Sequence, residues 1–232
     1  MQGLKSEEAV TLLLKRSKIL KPTDSDIEDA RCITEQLGCL ALAIEQAGAY
    51  ISARQLTQQE YIELLQCQRN ELLKYPVQLG SYQRSVFATW EVSFRQIERD
   101  SKLAAKLLLL LSFLDPAEIN QCMLVRGCQP QRRWGAAGEV CDYSPSEAGV
   151  DNGIIELVTN RIVFDDAIQK LREFSLIQRN YDVQGKRSFS LHPLVQDCVA
   201  YRVSEEEQRK WREQAILLVS QAFPRHQYLE DK

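Results

Sequence analysis

The 232 residues contain no Gly-x-x-x-x-Gly-Lys-Ser/Thr loop, so nothing in them can cradle a triphosphate unaided. Histidine is scarce: there are two, His192 and His226. Cys122, Cys128 and Cys141 lack the close pairs of a zinc site, and no metal site is expected. The sequence opens without a secretory signal, and its seven cysteines follow no repeating spacing. That pattern points to reduced, intracellular thiols and a cytoplasmic protein. The apolar run Ala104 to Leu114 is interrupted by Lys106 and falls far short of the ~20 residues of a membrane span. It reads as a buried helix, and no membrane partner is expected. An excess of positive charge is missing too: the formal net charge is −3, which exerts no general pull on nucleic acid or anionic lipid.

What is present is helix after helix. In the first 80 residues, Ser6 offers a cap ahead of Glu7 and Glu8, with Ala9, Leu12 and Leu13 on an inner face. Thr23 to Ser25 offers caps for a second helix, carrying Ile27, Ala30, Thr34 and Leu37, which Gly38 stops. An apolar helix over about 40–52 follows, whose Ala43, Ala47 and Gly48 let another backbone come close. Thr57 and Glu60 form a capping box for a fourth helix, ended by Tyr75-Pro76. Four short helices with brief connections predict a bundle.

A boundary is expected at about Gly80. Beyond it, Phe87, Trp90, Phe94 and Ile97 recur at helical spacing. Residues 127–150, rich in Gly and Pro, read as a long, partly mobile loop. Phe164, Ala167, Ile168, Leu171 and Phe174 share a helical face. Two strands follow, over 176–181 and 187–192, as a hairpin in which Phe189 and Leu191 alternate with serines. Pro193 suits the first turn of a further helix. Ser204 and Glu207 form another capping box, leading a helix with Trp211, Ala215, Leu218, Val219 and Ala222 inward. The predicted fold is mainly α: a four-helix bundle over 1–80, a winged-helix domain with a small β-hairpin over 81–203, and a C-terminal helix over 204–232.

His192 is the chemical feature of this layout. It stands between a strand and a helix N-terminus, where unpaired N–H groups and the dipole favour an anion. The ordinary alternative is a hydrogen-bonded structural histidine. A nucleophilic pair with Cys198 is disfavoured, since six residues along one helix start do not face each other. The winged helix also invites a DNA-binding reading. Asp165, Asp166 and Glu173 offset Arg161, Lys170 and Arg172 on the helix that would enter the groove, which argues against it.

Four segments in order carry a resemblance. Gln36-Leu37-Gly38-Cys39-Leu40-Ala41-Leu42-Ala43-Ile44 resembles the Gly-x-Pro segment of NB-ARC proteins, the STAND NTPases related to NOD-like receptors and plant resistance proteins. Thr89-Trp90-Glu91-Val92-Ser93-Phe94, Leu111-Ser112-Phe113-Leu114-Asp115-Pro116 and Leu191-His192-Pro193-Leu194-Val195-Gln196 resemble that family's winged-helix domain. The nearest flavour is the fungal type, in which tetratricopeptide repeats follow.

The resemblance implies a switch in signal transduction. ADP sits between a nucleotide-binding domain and these helical domains and locks a closed state; ATP opens it and permits oligomerisation. Gly38, Leu40 and Ala41 would line the adenine side, and His192 would contact the β-phosphate of ADP. Ala41 stands where the family has Pro, and Pro193 where it has Asp. The phosphate loop and Mg-binding acids belong to a domain these residues do not include. That nucleotide-binding domain, in cis or in trans, is therefore the implied partner, ADP or ATP the shared cofactor, and ATP turnover by the chain alone is not expected. A truncated protein-interaction scaffold without nucleotide binding is the rival reading.

Overall fold

The computed structural model describes residues 3–72, 81–134, 137–181 and 185–223. Within them the chain divides at Asp100 and Ser101 into two compact units, and Lys170–Leu176 joins the first. The expected end of the fourth helix at Tyr75-Pro76, the boundary at Gly80, and His226 lie outside the described residues.

The first unit is a helical bundle. Helix α1 is Ser6–Arg16, α2 Asp24–Gln36, α3 Ala41–Arg54, α4 Gln58–Leu72 and α5 Ser81–Asp100. Helix α1 packs on α2 and α3, α4 on α2 and α5, and α3 on α5. The start of α1 departs from expectation by one residue. Ser6 is already helical, and the cap position is Lys5, whose N–H donates to Glu8 Oε2 at 3.2 Å. Glu8 decides this, because a carboxylate at the third helical position reaches back to the residue before the helix. The other starts follow the sequence. Thr23 accepts from the Asp26 N–H at 3.2 Å, and the Thr57 N–H donates to Glu60 Oε2 at 2.7 Å.

Small residues in α3 allow the close approach expected of them. A Cβ added at Gly48 would stand 2.5 Å from Arg16 Cβ and 3.2 Å from the Leu13 carbonyl, so only glycine lets α1 and α3 meet this tightly. The core of this unit is aromatic. Trp90 and Phe94 stack at 4.9 Å, and Tyr50 lies 5.8 Å from Tyr61 and 5.7 Å from Phe174. Such pairs add about 0.5–1.5 kcal/mol each beyond the area they bury.

The second unit is winged-helix-like. Its elements are α6 (Lys102–Leu111), β1 (Ile119–Asn120), α7 (Gln121–Gly127), β2 (Gln131–Trp134), β3 (Val140–Tyr143), α8 (Asn152–Thr159), α9 (Arg161–Glu173), β4 (Gln178–Tyr181), β5 (Arg187–Ser190), α10 (Pro193–Arg202) and α11 (Glu205–Ala222). The last turn of α9 belongs to the first unit. The expected hairpin is β4–β5, with Gln178 opposite Ser190 and Tyr181 opposite Arg187. Its sheet has a third strand that periodicity did not reveal: β1, only two residues long, pairs antiparallel with β5 and makes the order β1-β5-β4. Phe189 on β5 meets Phe164 on α9 edge-on at 5.9 Å, joining sheet to helix. Helix α6 is buried along Ala104, Ala105, Leu107, Leu108, Leu110 and Leu111, as its composition requires. No helix among the described residues is long and apolar enough to cross a membrane.

Residues 127–150 are more regular than the expected loop. Strands β2 and β3 form an antiparallel hairpin, with Arg132 opposite Asp142 and Trp134 opposite Val140. Both of those strand ends are exposed, so the buried-polar alternation that marks a strand in sequence is missing. Helix α8, also unanticipated, starts at Asp151, whose Oδ1 accepts from the Ile154 N–H at 3.2 Å.

Candidate functional site

Pro193 fixes the geometry of His192. A residue before proline is pushed out of the helical region, and His192 is extended, with φ −71° and ψ 137°. It is therefore the N-cap of α10, with Pro193 in the first helical position, where a missing N–H costs nothing. The Leu194 N–H donates to His192 Nδ1 at 3.2 Å. In the neutral ring, a nitrogen that accepts leaves the proton on the other one. Nε2–H is thus the donor His192 presents, on an exposed side chain at the positive end of a helix dipole.

Two anchors hold this corner in place. The Leu191 N–H donates to the Pro116 carbonyl at 3.0 Å, tying the end of β5 to the chain after α6. Gln196 Nε2, one turn into α10, donates to the carbonyls of Ser112 at 3.0 Å and Leu114 at 2.8 Å. These two acceptors stand at the C-terminus of α6, where helical carbonyls lack partners. Segments 111–116 and 191–196 are thereby one hydrogen-bonded corner.

Gly38, Leu40 and Ala41 belong to the first unit and are described separately. Gly38 and Cys39 both adopt left-handed backbone, with φ of 65° and 54°. Glycine does so freely, whereas cysteine there is strained by roughly 1 kcal/mol or more. Three backbone bonds hold the turn: Gly38 N–H to Glu35 at 3.0 Å, Cys39 N–H to Thr34 at 2.9 Å, and Leu4 N–H to the Cys39 carbonyl at 2.8 Å. Leu40 is the N-cap of α3 and supplies no side-chain acceptor. The first turn of α3 therefore offers uncapped N–H groups beside exposed Ala41, while Leu40 itself is largely buried. Further along α3, buried Gln46 meets Thr89 of α5, with Thr89 Oγ1 2.9 Å from Gln46 Oε1. Segments 36–51 and 89–94 are joined in this way.

Cys32, Cys67, Cys122 and Cys141 are exposed, and Cys128 and Cys198 are buried. Cys128 is buried, and burial pushes its thiol up to about 12. Cys198 lies on the buried side of α10 while His192 is exposed, so the two do not form a nucleophilic pair. Among the described residues no group of three or more His, Cys, Asp or Glu is placed to hold a metal ion.

A family model described as "Domain of unknown function (DUF7779)" matches residues 95–208. That stretch takes in His192 and both anchors of its corner, and stops short of Gly38 to Ala41. The chain is also similar to a protein of Hyaloscypha variabilis named "Nucleotide-binding leucine-rich repeat (NLR)-like protein", at 31% identity over 122 residues. The match covers 48% of this chain and 12% of that protein. The chain thus spans a small part of the length of the relative it matches.

Proposed function

We propose that this chain is the regulatory lid half of an NB-ARC-type nucleotide switch in signal transduction. The nucleotide-binding domain, with its phosphate loop and Mg-binding acids, would lie outside these 232 residues. His192 carries the reading: its Nδ1 is occupied by Leu194, so Nε2–H, with no partner among the described residues, would donate to the β-phosphate of ADP at a helix N-terminus. Gly38, Leu40 and Ala41 would close over the adenine, with the uncapped N–H groups of α3 turned to the nucleotide. Loss of the His192 contact when ATP replaces ADP supplies the differential interaction that a two-state switch needs. The NLR-like relative supports a signalling role of this kind.

A scaffold that binds protein partners without nucleotide is the second reading. Ala41 and Pro193, standing where the resembled family has Pro and Asp, favour it. A winged-helix DNA binder is disfavoured by Asp165, Asp166 and Glu173 on α9.

ADP titrated against the chain alone, and against the chain with a matching nucleotide-binding domain, separates these. The lid reading expects affinity only in the combination. No gain on adding the lid would leave the scaffold. The intact mass of the native polypeptide in its own cells shows whether that domain is joined in cis.

A further inference from the structure

Within the second unit, a cleft of about 490 Å³ is lined by Gln121, Cys122, Val125, Arg126, Arg161 and Arg187. Its three arginines come from α7, the start of α9 and β5, so folding collects them and no charge run in the sequence announces them. One carboxylate answers two of them. Asp165 Oδ1 lies 3.1 Å from Arg187 Nη1, and Asp165 Oδ2 lies 3.8 Å from Arg161 Nε. Each oxygen faces a different guanidinium, so Asp165 spaces the two side by side. Arg126 is exposed and makes no ion pair among the described residues.

Three guanidinium charges against one carboxylate leave an excess of two positive charges in a concave site. Like charges gathered this way repel, and a bound anion relieves them. Guanidinium forks match the oxygens of phosphate in pairs. The excess also equals the charge of a phosphomonoester, about −1.5 to −2 at neutral pH, whereas a carboxylate would neutralise half of it. A volume of about 490 Å³ exceeds one phosphate and leaves room for its carrier.

We propose that this cleft binds the phosphoryl group of a phosphomonoester, either a phosphorylated side chain or a small phosphorylated molecule. A nucleic acid would need a row of cations along its backbone. The chain instead has a net charge of −3. The site is independent of His192, which does not line the cleft.

The test is calorimetric titration of the whole chain at low salt with inorganic phosphate, O-phosphoserine, acetate and a single-stranded oligonucleotide. Saturable one-site binding of phosphate and phosphoserine, with acetate silent, is the expected result. Arg126→Gln, which breaks no ion pair, should weaken it about tenfold. Asp165→Asn removes the competing carboxylate and should tighten it several-fold, and His192→Ala should leave it unchanged. Phosphoserine binding well above inorganic phosphate assigns a phosphorylated side chain, and equal affinity assigns a small phosphate. Phosphate affinity untouched by both Arg126→Gln and Arg161→Gln, or binding of the oligonucleotide alone, overturns the proposal.

Discussion

Gln196 Nε2 donates to the Leu114 carbonyl at 2.8 Å and to the Ser112 carbonyl at 3.0 Å, so one side chain of α10 satisfies two carbonyls at the end of α6. Those residues are 82 and 84 positions apart in sequence. The contact sets the first turn of α10, and with it the direction in which His192 faces. Gln196→Leu should cost about 1–2 kcal/mol, because two partly buried carbonyls lose their donor. Gln196→Glu should cost more at neutral pH, since it sets a third acceptor against them. Urea unfolding ranks the two; equal stability of all three proteins would show that the contact does not hold the corner.

Gly48→Ala sets two effects against each other. Helix propensity favours alanine by up to about 1 kcal/mol. The added methyl would stand 2.5 Å from Arg16 Cβ, an atom fixed to the backbone of α1, and overpacking of this kind costs roughly 1–3 kcal/mol. Packing should win, with a lower urea midpoint at unchanged slope. A raised midpoint would show that α1 and α3 sit further apart.

Asp151 links acid stability to α8. The Lys106 ammonium, 2.6 Å away, holds the Asp151 carboxyl below the usual carboxylate range, more than burial raises it. A carboxyl whose folded pKa lies below its unfolded value, about 3.9, stabilises the fold above that pH and loses its contribution as pH falls through the folded value. Asp151→Asn keeps an N-cap acceptor and removes the charge, so stability should fall less steeply below about pH 4. The acid limb should not vanish, because Asp26, Glu60 and Glu207 are also held low, by hydrogen bonds from Thr23, Thr57 and Ser204. Asp151→Ala loses the cap as well and should cost about 1 kcal/mol even at neutral pH. Denaturant midpoints from pH 3 to 7 read both effects.

Much of the architecture was legible because local chemistry decides it. The capping boxes at Thr57 and Ser204 and the stop at Gly38 each involve residues within four positions. The His192-Pro193 step likewise announces its own helix start. What escaped has no local signal. Strand β1 is two residues long, below any period. The β2–β3 hairpin exposes both Trp134 and Val140, so no face alternates. Asp151 resembles any loop carboxylate until Lys106 folds onto it. The arginine cleft escaped for the same reason: Arg126, Arg161 and Arg187 meet only through packing. For the candidate site, the sequence marks His192 and its helix, while the Nδ1 acceptor role and the Gln196 anchor arise only in the folded chain.

The decisive measurement is ADP release from the proposed switch, this chain together with a nucleotide-binding domain, with His192 varied two ways. His192→Ala removes the cap, worth about 1 kcal/mol, together with Nε2–H. His192→Asn restores an N-cap acceptor, so the start of α10 stays in place while the imidazole donor is lost. Loss of one charge-assisted hydrogen bond should speed ADP release about tenfold in both variants, with ATP release little changed. Wild-type ADP release from His192→Asn, with faster release only where the cap is broken, would contradict the account and leave His192 a structural cap.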